Sequence, residues 1–134
     1  MRSRLTVIVS GILVSLLATG AFAAALDAQR SGAAGVTVAV TPQNLAAGVK
    51  SWDFKVVLDT HSGSLDDDLV KSAVLLGDKG GRHLPVKWEG AGPGGHHREG
   101  TLKFEPISPA PGAIELQIQR PGEPKPRSFR WQLK

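Results

Sequence analysis

The sequence predicts an all-β fold, a single antiparallel β-sandwich of about seven strands. Three observations lead to it. After residue 35 the apolar residues recur with period two. Clusters of glycine, proline, asparagine and aspartate interrupt that alternation at short intervals. No later stretch carries an apolar stripe of ordinary helical length.

From the N-terminus, Arg2 and Arg4 precede the apolar run LTVIVSGILVSLLA (5–18), and Ala21-Phe22-Ala23 supplies the small residues of a signal-peptidase site. The run is too short for a membrane span. Residues 1–23 are therefore expected to be a signal peptide cleaved after Ala23, with Ala25 as the alternative. No second apolar run follows, so the mature chain is expected to have no membrane span, to be monomeric, and to be periplasmic or secreted. Residues 24–35 (AALDAQRSGAAG) are small, polar and aperiodic and predict a flexible tether. Residues 36–134 are the expected sandwich domain.

The clearest strand is WDFKVVLDT (52–60), with Trp52, Phe54, Val56 and Leu58 on one face and Asp53, Lys55 and Asp59 on the other. VTVAVT (36–41) precedes it and AVLLG (73–77) follows. The same alternation predicts strands at HLPVKWE with Leu84, Val86 and Trp88 inward, at TLKFE with Leu102 and Phe104, at AIELQIQ with Ile114, Leu116 and Ile118, and at RSFRWQL with Phe129, Trp131 and Leu133. PQNLAAG, DKGG, PISPAPG and RPGEPKP supply turns. One helical turn is predicted within SLDDDLVKS, with Ser64 as its N-cap.

The chain has no cysteine, and Met1 is its only methionine. The mature protein would thus contain no sulfur, which excludes disulfides and any thiolate or thioether metal ligand. Sixteen Lys and Arg face twelve Asp and Glu, a formal net charge of +4. Arg2 and Arg4 leave with the signal peptide, so the working surface is only weakly basic. Its cations are interspersed with acids and lack stacking aromatics, which argues against a nucleic-acid partner.

About seven short strands in roughly 100 residues resemble an immunoglobulin-like or fibronectin III-like sandwich. With neither Cys nor Tyr, the disulfide and tyrosine corner of true immunoglobulin domains are impossible. If successive strands run antiparallel, alternate loops share an end. That places His61 and Asp66 to Asp68, in the loop between the second and third strands, at the same end as His96, His97, Arg98 and Glu99, between the fourth and fifth. His83 falls at the opposite end.

Imidazole nitrogens and carboxylate oxygens form a ligand set suited to Cu(II) or Zn(II). The expected metal ligands are His61, His96, His97, Asp66 and Asp68, on a loop whose glycines allow tight backbone turns. The alternative is structural: the histidines bond loop carbonyls, and Arg98 pairs with Asp67 across the two loops to lock the end of the sandwich. Catalysis is not expected, because no Gly-x-Ser-x-Gly turn accompanies His61-Ser62 and no facing carboxylate pair is evident.

The segments LDTHSGSLDDDL (58–69) and PGGHHREGTLKFEPIS (93–108), GGHHREG above all, resemble a group of small exported bacterial proteins to which no activity is assigned. The resemblance implies export and a single domain and draws attention to His61, His96 and His97. Periplasmic copper-carrier sandwiches are similar in size and class, but this chain has no histidine at its expected mature N-terminus. The function expected from the sequence is an exported, non-catalytic sandwich with a divalent-metal site on these two loops. The alternative is a metal-free module that binds a protein or other partner in the bacterial cell envelope.

Overall fold

The computed structural model describes residues 26–134. The expected signal peptide, its cleavage site and the first two residues of the expected tether lie outside them. Among the described residues nine strands form two antiparallel sheets. The first runs β1 (Gln29–Ala33), β2 (Val36–Asn44), β3 (Trp52–Thr60), β7 (His97–Phe104), β6 (Lys87–Gly90) in spatial order. The second runs β5 (Arg82–His83), β4 (Ala73–Gly77), β8 (Ala113–Ile118), β9 (Arg127–Gln132). A single helical turn, α1 (Leu69–Ser72), precedes β4. The all-β sandwich expected from the alternation is the fold observed.

The predicted inward residues of β3, β7, β8 and β9, joined by alternate residues of β2, form the core. Val38 and Val40 of β2, Trp52 to Leu58 at alternate positions of β3, Leu102 and Phe104 of β7, Leu116 and Ile118 of β8 and Phe129 of β9 are buried in one cluster. Phe54 meets Phe104 edge-on, ring centres 5.6 Å apart at 86°, an arrangement the ring quadrupoles favour. Each of these side chains contributes about 1.5–3 kcal/mol by leaving water, which lets the fold stand without disulfides.

Three expectations are corrected. Residues 29–33, within the expected tether, are strand β1, joined to β2 by a two-residue turn at Ala34 (φ 50°) and Gly35 (φ 75°). Alternation could not reveal β1 because it buries little apolar surface. Long-range polar contacts to β9 hold it instead: Arg127 donates to the carbonyls of Ser31, Ala33 and Val36, the Gln29 amide brackets the backbone of Arg130, and the Trp131 indole donates to Asp27 O.

The single strand expected over HLPVKWE is instead two, β5 in one sheet and β6 in the other. Leu84-Pro85-Val86 is the strap between them. Pro85 is buried, whereas Leu84 and Val86, expected inward, are 70% and 57% exposed. Proline cannot donate to a ladder, and here Pro85 takes the inward position between Leu84 and Val86, while Trp88, also expected inward, does pack against the core opposite Leu102. The helical turn forms where expected, but its cap is Asp68, whose Oδ1 accepts from Lys71 N at 3.2 Å. Ser64 donates to Asp66 instead.

Candidate functional site

The loop between β3 and β4 and the loop between β6 and β7 do share one end of the sandwich, where their main chains are stitched together. Thr60 N donates to His96 O at 2.9 Å, Leu65 N to Gly95 O at 3.1 Å, and Gly94 N to Leu65 O at 2.9 Å. Gly94 (φ 111°) and Gly95 (φ 76°) lie in backbone regions that L side chains rarely enter. The glycines before His96 thus serve backbone pairing between the loops.

Antiparallel register places His97 opposite Asp59. Its Nδ1 lies 2.5 Å from Asp59 Oδ1, and its Nε2 lies 3.3 Å from Glu99 Oε2. Hydrogen bonding to Asp59, then to Glu99, raises the His97 pKa above the ordinary imidazole value. Glu99 is lowered chiefly by Lys55, 2.9 Å away, and then by His97.

Arg98 points the other way. It is buried, with its guanidinium 5.7 Å from the centre of the Trp88 ring, and it donates to the carbonyls of Leu65, Asp67 and Ala91. Two of those carbonyls belong to one loop and one to the other, so Arg98 fastens both loops from inside. The expected Arg98–Asp67 ion pair is therefore a contact to the Asp67 main chain. The Asp67 carboxylate instead receives Arg120 in a two-pronged pair, both N–O distances 2.9 Å. Beyond it, Glu123 lies 3.4 Å from Arg120 and 2.7 Å from Arg127. Asp67 pushes the Arg120 pKa upward, and Arg127 holds Glu123 below the usual carboxylate range. Sequence reasoning missed Arg120 and Glu123, although strand parity assigns their loop, between β8 and β9, to this same end.

Of the expected ligands, His61 and His96 are exposed, with no side-chain hydrogen bond among the described residues. Asp66 accepts from Ser64, Asp68 caps α1, and His97 is engaged by Asp59 and Glu99. Among the described residues no group of three or more His, Asp or Glu side chains is placed to hold a metal ion. No helix among them is long and apolar enough to cross a membrane.

The sequence also gave no warning of the apolar strap. Leu84 and Val86 are the exposed large hydrophobic residues among those described. Pro85, between them, is buried and anchors the strap. On its C-terminal side, Trp88 lies over glycines 90 and 100 and donates its indole N–H to Ala91 O at 2.9 Å.

The fold and this surface define a two-sheet antiparallel sandwich with a charge-locked loop end and an apolar strap at one edge. Compared with known proteins, the chain matches no family model, no curated protein and no solved structure.

Proposed function

We propose that this is an exported, non-catalytic interaction module of the cell envelope that binds a protein partner through the strap between its two sheets. The observation that carries this reading is the exposure of Leu84 and Val86 on a segment anchored by buried Pro85. Covering what remains exposed of both side chains on binding would contribute about 2–4 kcal/mol. The strap is held in place beforehand, so little ordering entropy opposes docking. A photo-crosslinking side chain at position 84, in cells exporting the protein, is expected to yield an adduct of discrete mass that the same label at exposed Lys50 does not. Absence of an adduct at both 84 and 86 would overturn the reading.

A second reading, divalent-metal binding, is favoured by one observation: the exposed His97 imidazole lies between the carboxylates of Asp59 and Glu99. His61, His96, Asp66 and Asp68 would have to join it through loop movement, since the stitched loops do not bring them to a common point. Zn(II) or Cu(II) would displace the proton that His97 holds, so binding would weaken as pH falls. Micromolar calorimetric binding of Zn(II) that disappears in His97→Ala would support this reading, and a flat titration would end it.

A further inference from the structure

We propose that the outer face of the four-stranded sheet seats an acidic, extended peptide segment of the partner, its carboxylate between Lys71 and Arg82 and a neighbouring apolar residue against Leu84. This proposal rests on the interaction reading and assigns its ligand chemistry. The outer face carries a shallow concavity of 530 Å³ whose lining includes Lys71, Ser72, Val74, Arg82, Leu84 and Gln117. Both an apolar floor and polar anchors are therefore present, as expected of a site that fixes orientation as well as affinity.

The charge on this face is unbalanced. Neither Lys71 Nζ nor the Arg82 guanidinium has an ion pair or hydrogen bond among the described residues, whereas the nearby acids are engaged. Asp68, which also lines the concavity, caps the helical turn through Oδ1, Asp78 accepts from Gly112 N, and Glu115 accepts from Ser128, Arg130 and Gln117, so the concavity keeps an excess of one positive charge. Two free cations beside an apolar surface complement a carboxylate carried on an apolar chain better than a small, fully hydrated anion.

The floor adds a second, independent sign. Ser72 Oγ is the one buried side-chain polar atom among the described residues without a hydrogen-bond partner. A buried hydroxyl without a partner is costly and uncommon, and a ligand oxygen reached by rotation of the Ser72 side chain would relieve it. The shape favours an extended ligand. β5 pairs with β4 only at Leu75 and Leu76, so Ala73 and Val74 have β8 on one side and no strand partner on the other. This unpaired stretch of β4, beside the concavity, leaves main-chain groups within reach of an extended segment that crosses from the outer face to the edge.

The test is an NMR titration of the protein with a blocked Val-Glu-Val-Glu-Val peptide, beside its Gln-for-Glu counterpart. The expected result is saturable amide shifts centred on Lys71, Val74, Arg82 and Leu84, with a Kd of about 0.1–1 mM. Binding should be at least about tenfold weaker for the Gln peptide and for a Lys71→Glu/Arg82→Glu variant. Both cations are exposed, so the exchange should leave the fold intact, which an unchanged melting temperature verifies. Ser72→Ala should weaken binding about threefold with the same shift pattern. Equal affinity for the two peptides, shifts elsewhere on the surface, or no shifts at millimolar peptide would each overturn the proposal. Any of these results alongside an adduct at position 84 would leave the interaction reading standing without its acidic ligand.

Discussion

At the scale of single residues, the loop end depends on where two guanidinium groups point. Along β7, positions 98, 100, 102 and 104 face inward, so Arg98 shares a side with Leu102 and Phe104 and meets the loops from below. That phase was legible in HREGTLKF. Its consequence was not, because alternation says which way a side chain points and nothing about whether a carboxylate or a carbonyl awaits it. Asp67, 1% exposed, belongs to Arg120, which is 8% exposed. Removing Asp67 strips Arg120 of its two-pronged partner and leaves it only the longer contact to Glu123 at 3.4 Å. Asp67→Ala should therefore cost about 3–5 kcal/mol, lowering the unfolding midpoint by more than about 10 °C. Replacing both residues together with apolar ones of similar volume should recover much of that loss. Tryptophan fluorescence during thermal unfolding reads both, and a single variant that melts like the parent would show that water already screens the pair.

At the scale of elements, the long strands were legible because each buries a complete apolar face, whereas short strands at the sheet edges were not. β1 depends on Arg127 and Gln29, residues about a hundred positions apart, and β6 depends on what two glycines leave open. Gly90 and Gly100 are register partners. A Cβ on Gly100 would lie 2.6 Å from the Trp88 ring and 2.7 Å from Gly90 Cα. The glycine pair is thus the seat of the indole, and the indole in turn covers Arg98. Gly100→Ala should cost about 1–3 kcal/mol through overpacking and shift the Trp88 indole NMR resonance, because the ring must lift. An unmoved indole signal with full stability would mean that β6 accommodates the methyl group by sliding.

At the scale of the whole molecule, the ionisable surface sets a pH window for stability, and its limits follow from signs alone. Glu89, Glu99, Glu115 and Glu123 are all lowered from their ordinary value of about 4.5, chiefly by Lys87, Lys55, Ser128 and Arg127 respectively. A depressed carboxylate stabilises the folded chain fully above its unfolded value and loses that contribution as pH falls through the folded one. His97 is raised from about 6.5, chiefly by Asp59. Its contribution is complete below the unfolded value and is lost as pH rises through the folded one. The two ranges overlap between about pH 4.5 and 6.5, where the melting temperature measured by calorimetry should reach its plateau. It should fall further on the acid side, where four carboxylates contribute, than on the alkaline side, where one exposed imidazole does, and both limbs are shallow because solvent screens these groups. Asp59→Asn should flatten the alkaline limb and leave the acid limb in place, and Glu123→Gln should lower the plateau and make the acid limb shallower. An alkaline decline that survives Asp59→Asn would assign that limb to some group other than the His97 pair.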